Sequence, residues 1–344
     1  MLLPRVDYFQ VVFTLPEPLW ALMLGNRRKT YRLLFHAAWE ALRDVLREQL
    51  GCEPAAVMVL HTWNQRLEHY PHLHAVVPGG GPSQDGQRWV RSQHPEQAER
   101  QKPYLVDNRL LSARFRDKFL AGLRRLQHKG QLKLVGKWSP LQDSAAFAAW
   151  LKPLQDVDWA AYIEPPPTAD AEPEHVLKYL ARYLTGGPIS DRRLISWEHD
   201  QVTFWARSPD KRSGNPSEPY PLTGVEFTRR WALHILPKGF VKSRCFGGYS
   251  TRNRAAYLRR CRELLGAEGP GAEPAEASPP TADEGSEPTR LCPHCQTPLA
   301  CLSRGERPGW RQVFNGPARP AWYDPFGHAI AWGRRDWYRE PPDG

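Results

Sequence analysis

Residues 61–81, HTWNQRLEHYPHLHAVVPGGG, contain the pattern from which the fold of this chain is predicted. Within them, residues 72–77 form an apolar run that carries two histidines and ends at a proline and three glycines, which predicts a β-strand. Residues 55–63 predict a second strand, and the polar residues 64–71 between the two indicate a hairpin. Because side chains two positions apart on a strand share a face, His72 and His74 point the same way and can bind one metal ion.

Two imidazoles are too few to hold a metal ion, so a third ligand is expected. A hairpin register that places His61 opposite His74 puts both on one face and makes His61 the first candidate. Gln65, in the connecting turn, is the second candidate and His175 is the third. With histidine and oxygen ligands, Mg²⁺ or Mn²⁺ is the expected working ion, and Zn²⁺ can also bind. The alternative is that this His-x-His pair is structural.

Residues 174–185, which include VLKYLARYL, predict a helix that ends at two glycines and a proline. Tyr179 and Tyr183 are four residues apart, so their hydroxyls lie on one helix face, one turn apart. Lys178 and Arg182 lie on the adjoining stripe, where they can hold phosphates or act as ordinary surface charge. A metal-binding histidine pair together with a tyrosine pair predicts cutting and rejoining of a nucleic-acid strand, with the tyrosines as nucleophiles.

The remaining patterns predict an α+β fold. Apolar spacing predicts strands and helices in turn along most of the chain. The predicted strands cover residues 8–15, 193–196 and 201–206, and the predicted helices cover residues 20–49, 112–129, 225–236 and 251–265.

The 344 residues carry a formal net charge of +10, which suits a polyanionic partner such as DNA, although a solvated basic surface is the alternative. Residues 266–289 contain six acidic and no basic side chains, so the rest of the chain is still more basic. No apolar run reaches the ~18 residues of a membrane helix, so no membrane partner is expected. The start lacks a signal-peptide pattern and the six cysteines are irregularly spaced, which predicts a cytoplasmic protein.

Three domains are predicted from the changes in composition along the chain. Residues 1–265 form a catalytic domain, residues 266–290 form a disordered acidic linker rich in proline, alanine and glutamate, and residues 291–344 form a small module. Cys292, Cys295 and Cys301 in that module are candidate ligands of a Zn²⁺ ion, with His294 or a partner as the fourth. The alternative is that they are free thiols.

The chain resembles the HUH rolling-circle transposases with two tyrosines, the family of insertion sequence ninety-one and its common-region relatives. The resemblance covers residues 4–266 and rests on several motifs in order: YFQVVFTLP, HTWNQRLEHYPHLHAVVPGGG, VLKYLARYL, ISDRRLI, VTFWA and EFTRRWALHILPKGFVKSRCFGGYSTRNR. It implies an antiparallel sheet with the HUH motif on a central strand, flanked by helices. It also implies metal binding at His72 and His74, nucleophiles at Tyr179 and Tyr183, and cleavage and transfer of single-stranded DNA through a 5′-phosphotyrosine intermediate. Further predicted DNA contacts lie in the last motif, at Arg229, Arg230 and Lys238.

One departure from the family pattern affects the predicted partners. In this family a cysteine-rich zinc-binding domain usually precedes the YFQVVFTLP segment, which here begins at Tyr8. We therefore expect recognition of the ends of the mobile element to be weakened, lost or supplied by a separate zinc-binding chain. Two other functions remain open at this point: a plasmid relaxase or replication initiator with the same chemistry, and a truncated DNA-binding remnant without catalysis.

Overall fold

The computed structural model describes residues 3, 6–92, 104–164, 186–207 and 217–267. All of them belong to the first of two units into which the chain divides, Met1–Glu273 and Pro274–Gly344. The predicted tyrosine helix, nearly all of the predicted acidic linker and the cysteine module lie outside the described residues. Within the described residues, no helix is both long enough and apolar enough to cross a membrane.

The described part of the chain alternates strands and helices. Its strands are β1 Tyr8–Thr14, β2 Ala55–Trp63, β3 His69–Pro78, β4 Gly80–Pro82, β5 Trp89–Arg91, β6 Ala160–Glu164, β7 Leu194–Glu198, β8 Gln201–Arg207, β9 Ser217–Thr223 and β10 Ser243–Gly247. Its α-helices are α1 Pro18–Gly25, α2 Arg27–Gln49, α3 Asn108–His128, α4 Ser144–Leu151, α5 Gly224–Ala232 and α6 Arg254–Ala267.

Five strands form a central antiparallel sheet in the order β10-β2-β3-β1-β6. The predicted α+β class and the predicted antiparallel sheet flanked by helices are confirmed. The strand that carries His72 and His74 is β3, the middle strand of this sheet, as the resemblance implied. A smaller antiparallel sheet has the order β7-β8-β9, and the short strands β4 and β5 pair with each other.

The central sheet has one apolar face and one face that carries polar side chains. Because successive side chains on a strand alternate, every second residue of β1, β2 and β3 packs beneath α2 and α3. These buried residues are Phe9, Val11, Phe13, Ala56, Met58, Leu60, Leu73, Ala75 and Val77. The intervening positions, including all three histidines of the predicted metal site, lie on the opposite face.

The predicted helix over residues 20–49 is two helices, because Asn26 interrupts it. The Asn26 side chain is buried and donates hydrogen bonds to the carbonyls of Leu22 and Lys133, at 3.0 Å and 3.3 Å. Its Oδ1 accepts a hydrogen bond from the Lys133 amide at 2.6 Å. The break therefore ties the start of α2 to the loop that follows α3.

Several predicted boundaries were wrong in ways that local chemistry explains. α3 begins four residues before the predicted start, because the Asp107 side chain caps it by accepting a hydrogen bond from Leu110 N at 2.7 Å. α5 ends at Ala232 rather than at residue 236. The glycines predicted to end the hairpin instead continue into β4, where Gly80 has a φ of +145° and an added Cβ would lie 2.2 Å from the Val90 carbonyl oxygen.

Candidate metal centre

Three histidines lie together on the face of the central sheet opposite α2 and α3. His61 comes from β2, and His72 and His74 come from β3. One possible ligand atom on each histidine lies within 4.8 Å of those on the other two. The ring centroids of His61 and His74 are 4.5 Å apart, and those of His72 and His74 are 4.9 Å apart. Three converging imidazole nitrogens at this spacing fit a single metal ion.

The register of the hairpin differs from the predicted one. His61 pairs with His72, and His74 pairs with Val59, so the prediction that His61 lies opposite His74 was wrong by two residues. The turn is tighter than expected, because Asn64 Oδ1 accepts hydrogen bonds from the amides of Arg66 and Glu68, at 2.9 Å and 3.0 Å. β3 therefore begins earlier than predicted, at His69. A shift of two residues keeps the same face, so the histidines still converge.

Hydrogen bonding leaves one nitrogen of His72 available for a metal ion. Its Nδ1 lies 2.8 Å from the backbone oxygen of Tyr70. A carbonyl oxygen can only accept, so Nδ1 carries the proton in this contact. The neutral ring then presents an unprotonated Nε2, the form in which imidazole binds metals.

Gln10 on β1 is the corresponding neighbour of His74, a role that could not be predicted from the sequence. Its Nε2 lies 2.7 Å from His74 Nδ1. The Gln10 side chain is buried, and its Oε1 has no hydrogen-bond partner among the described residues. An amide turned by 180° brings Oε1 to Nδ1, where it can accept a hydrogen bond from the Nδ1–H of a His74 ring that presents Nε2 to a metal ion.

Burial keeps His72 and His74 neutral at physiological pH. Desolvation lowers the pKa of His72 to about 4, although its hydrogen bond to Tyr70 acts in the opposite direction. The pKa of His74 falls to about 2, mainly through burial and further through neighbouring His72, His61 and Lys242. Metal ions bind the neutral imidazole, so His72 and His74 are in the binding form without loss of a proton.

Lys242 places a positive charge at the edge of the histidine cluster. Its backbone oxygen accepts a hydrogen bond from Leu60 N at 3.0 Å, which fixes it beside His61 on β2. Its Nζ lies 5.1 Å from the ring centroid of Trp63, which itself stacks on His61, and donates to the Gly186 carbonyl at 2.7 Å. Burial lowers the pKa of Lys242. No ion pair joins it to an acidic side chain in the described ranges, so this ammonium is suited to an anionic substrate group.

Comparison with known proteins identifies the family to which this site belongs. The family Y2_Tnp, described as "Putative transposase", matches residues 55–256, which include all three histidines. The chain belongs to this transposase family. The resemblance to the transposases of insertion sequence ninety-one is thereby confirmed at the level of the family.

Two relatives of the transposase extend the match beyond these residues. "Putative transposase y4qJ" of Sinorhizobium fredii (strain NBRC 101917 / NGR234) is 38% identical over 298 residues, which is 85% of this chain and 71% of the relative. The transposase for insertion sequence element IS801 of Pseudomonas savastanoi pv. phaseolicola is 26% identical over 272 residues, which is 79% of this chain. The matched part is 61% of that second relative, less than two thirds of its length. No solved structure matches the chain.

Three other predicted site residues of the transposase lie in the hairpin turn and on α5. Gln65, the alternative third ligand, is exposed in the hairpin turn, where its backbone oxygen accepts a hydrogen bond from Arg193. Arg229 and Arg230 on α5 both form ion pairs with Glu226, at 2.6 Å and 2.7 Å. Glu226 therefore already neutralises part of the charge that was predicted to contact DNA, and that role stays a prediction.

Lys238 is exposed in the loop after α5, and its backbone oxygen accepts a hydrogen bond from Arg28 Nη2 at 2.5 Å. A role for its side chain in DNA binding also stays a prediction. The remaining predicted site residues lie outside the described part of the transposase: His175, Lys178, Tyr179, Arg182, Tyr183, Cys292, Cys295 and Cys301.

Proposed function

We propose that this transposase nicks and rejoins single-stranded DNA through a 5′-phosphotyrosine intermediate, as in rolling-circle transposition. The observation that carries the proposal is the cluster of His61, His72 and His74 on the face of the central sheet opposite α2 and α3. Membership of the transposase family makes DNA the substrate, and the cluster provides the place where a phosphodiester would react.

The histidine cluster and Lys242 would bind the scissile phosphate. His61, His72 and His74 would hold a divalent cation, Mg²⁺ or Mn²⁺, through neutral imidazoles. When bound, such a cation draws charge from a phosphodiester and favours in-line displacement. Lys242 would pair with a non-bridging phosphate oxygen, since its ammonium has a backbone carbonyl and an aromatic ring as neighbours and no carboxylate among the described residues.

Tyr179 would supply the nucleophile, on the basis of the family resemblance. Its phenolate oxygen forms a bond to phosphorus, the bond between phosphorus and the 3′ oxygen breaks, and the departing 3′ oxygen takes a proton. The phosphotyrosine keeps the energy of the broken bond, so a 3′ hydroxyl can attack it and reseal a strand without ATP. Tyr183 would accept a second strand in the same way and complete the exchange.

An exposed aromatic side chain near the histidines favours an unpaired strand as the substrate. Tyr162 on β6 pairs with Val12 on β1, and Val12 pairs with His74 on β3. The three side chains therefore form a row across the face of the sheet that carries the histidines, which we call the histidine face. The row is about 10 Å from end to end at normal strand spacing. Tyr162 is 57% exposed. Unpaired bases stack on exposed aromatic rings, whereas bases inside a duplex cannot reach them.

A cleavage assay with single-stranded oligonucleotides and Mg²⁺ or Mn²⁺ tests this function. We expect the wild-type protein to release a free 3′ hydroxyl and to remain covalently joined to the 5′ phosphate. Tyr179→Phe should lose the adduct or greatly reduce it, and His72→Ala should abolish cation-dependent cleavage. The matched control is Tyr162→Phe, which removes a phenol on the histidine face and should keep full adduct formation. An unchanged adduct yield in Tyr179→Phe would contradict the assignment.

The same assay separates the proposal from the remaining alternatives. A DNA-binding remnant without catalysis would bind oligonucleotides and form no adduct under any cation. A plasmid relaxase or replication initiator would form the same adduct, so it differs only in the DNA sites that it prefers. The family match favours the ends of a mobile element as those sites.

A further inference from the structure

Two long stretches of the helical layer contain no acidic residue. Residues 18–39 and residues 118–142 together carry ten lysines and arginines and not one aspartate or glutamate. The first stretch covers α1 and the first half of α2. The second covers the second half of α3 and the loop that follows it.

The fold brings these two stretches together at one end of the helical layer. α2 and α3 pack closely, since a Cβ added to Gly122 on α3 would lie 2.2 Å from Leu33 Cδ1 on α2. The loop after α3 is attached to the start of α2 by the pair of hydrogen bonds between Asn26 and the Lys133 backbone. Apart from Lys118, which lies nearer the other end of the layer, the positive residues of both stretches therefore lie at this end of the helical layer.

Six exposed side chains define this surface, which we call the basic face: Arg28, Lys29, Arg124, Arg125, Lys129 and Lys133. None of the six forms an ion pair with an acidic side chain within the described residues. Arg32, on the same turns of α2, lies near Arg244. Burial is the main cause that lowers the pKa of the Arg244 guanidinium, and the positive charge of Arg32 is the second cause. Among the described residues, the charge on this surface is thus left without an acidic partner.

Toward the opposite ends of α2 and α3, basic side chains form ion pairs with acidic ones. There, Arg114 pairs with Glu48 at 2.8 Å, and Lys118 pairs with Asp44 at 2.6 Å. Arg47, near the end of α2, pairs with Glu53 at 2.7 Å. Within the described part of the chain, basic residues on α2 and α3 therefore form ion pairs at one end and none at the other. If both ends were simply surfaces exposed to solvent, this difference in ion pairing between them would not be expected.

We propose that the basic face binds the phosphate backbone of duplex DNA, on the side of the central sheet opposite the histidine cluster. The inference rests on the proposed function only in taking DNA as the substrate. Phosphates are the ligands that exposed lysine and arginine side chains bind without regard to sequence.

Two features of the basic face favour a duplex over a single strand. Binding of single strands depends on aromatic rings on which bases stack. The exposed aromatic side chains of the described residues, Tyr104, Tyr162, Trp197, Trp205 and Trp231, all lie outside the two acid-free stretches. The positive charges are carried mainly by the rigid helices α2 and α3. A rigid array of charges suits the fixed phosphate spacing of a duplex.

Because the basic face lies on the side of the sheet opposite the histidine cluster, a duplex bound there would be held without taking part in the cleavage reaction. An unpaired strand would react at the histidine cluster on one face, while double-stranded DNA next to the reacting strand would be held on the other. The protein would then bind the junction between paired and unpaired DNA by two surfaces at once, which raises the local concentration of the reacting strand.

Duplex binding by the full chain, measured by fluorescence anisotropy over a salt titration, tests the proposal. The probe is a blunt-ended duplex of arbitrary sequence without single-stranded ends. The test variant is Arg124→Gln, Arg125→Gln, Lys129→Gln, and the matched control is Arg252→Gln, Arg254→Gln, Arg259→Gln. Both variants remove three exposed positive charges, and the control charges lie on or beside α6. Thermal unfolding checks that both variants are folded.

We expect the test variant to bind duplex more weakly and to show a slope of log affinity against log salt that is lower by about three, since each lost phosphate contact contributes about 0.9. The control should keep the wild-type slope. Equal losses in the two variants would overturn the proposal, as would wild-type binding by the test variant, or a wild-type preference for anionic lipid vesicles over duplex. Nicking of a short single-stranded oligonucleotide should be unchanged in the test variant. Failure of nicking in the wild type would instead refute the proposed function and leave the duplex measurement interpretable.

Discussion

Gln10 and His74 are joined side chain to side chain across two strands of the central sheet, with 2.7 Å between Gln10 Nε2 and His74 Nδ1. Gln10 is only 4% exposed, and its Oε1 is without a hydrogen-bond partner among the described residues. Burying an amide in this way is costly unless its hydrogen-bonding groups are used. The relationship is explained if Gln10 Oε1 accepts a hydrogen bond from His74 Nδ1–H when His74 Nε2 is bound to a cation. Metal-binding histidines usually donate such a hydrogen bond through their other ring nitrogen.

Replacement of Gln10 should therefore weaken cation binding although Gln10 is not itself a ligand. Gln10→Leu removes the acceptor at nearly constant volume, and we expect Mn²⁺ affinity to fall by roughly 10- to 100-fold. Gln10→Glu retains an acceptor for the Nδ1 proton and should restore most of that affinity. Isothermal titration calorimetry on the folded variants measures both effects. Wild-type affinity in Gln10→Leu would show that the contact does not orient His74.

The identity of the third ligand is a separate prediction. His61 shares the cluster with His72 and His74, whereas Gln65 is exposed in the turn beyond it. His61→Ala should lower Mn²⁺ affinity by at least about tenfold, which is the lower end of the range for a supporting residue. Gln65→Ala is the matched control on the same hairpin and should bind Mn²⁺ as the wild type does. If Gln65→Ala bound Mn²⁺ more weakly than His61→Ala did, Gln65 would be the third ligand.

The central part of the fold could be predicted because its signals are local. The alternation around His72 and His74 predicted the strand, the shared face and the hairpin with β2, and these depend on residues within one continuous segment. The exact register could not be predicted, because it is set by the side-chain hydrogen bonds of Asn64 inside the turn. The error of two residues was harmless only because the side-chain period of a strand is also two.

The missed parts have causes that are distant in the sequence. β6 and β10 have five residues each, and they are strands because the edges of β1 and β2 offer them backbone partners. β9 contains two prolines, which argue against a strand when read alone. Lys242 acquires its position next to the histidines through the pairing of β10 with β2, and Gln10 through the pairing of β1 with β3. Their sequence neighbours therefore carried no sign of a functional role.

Tyr162 should contribute to binding of unpaired DNA without taking part in chemistry. Its ring is exposed on the histidine face, in one row with Val12 and His74. We expect Tyr162→Ala to weaken binding of a single-stranded oligonucleotide by about 1–3 kcal/mol, the usual contribution of one stacked base. Tyr162→Phe keeps the ring and should bind normally. Anisotropy with a labelled single strand distinguishes the two, and equal affinities of all three proteins would exclude stacking at this position.

Stability should fall in mild acid because of His69, a buried histidine outside the metal cluster. Its Nε2 lies 2.8 Å from the Tyr31 hydroxyl, and its Nδ1 has no hydrogen-bond partner among the described residues. Burial lowers the pKa of His69 to about 4, with smaller contributions from His234 and Arg27. Below the ordinary value of about 6.5 the unfolded chain takes up a proton that the folded chain refuses. The free energy of unfolding should therefore fall as the pH drops from about 6.5 to about 4, and stay constant above this range.

The variant His69→Phe isolates this contribution. A shift of this size corresponds to about 3 kcal/mol across the window, so the variant should lose that much of the pH dependence measured by urea unfolding. The substitution also removes the hydrogen-bond partner of the Tyr31 hydroxyl, which lowers the free energy of unfolding at every pH. This loss does not alter the slope of stability against pH, since the phenol stays protonated throughout. The control is His128→Gln, which changes an exposed histidine on α3 and should keep the wild-type profile. The buried histidines His72, His74 and His234 also have lowered pKa values and act with the same sign, so a residual slope should remain in His69→Phe. A full wild-type slope in His69→Phe would assign the whole pH dependence to those three.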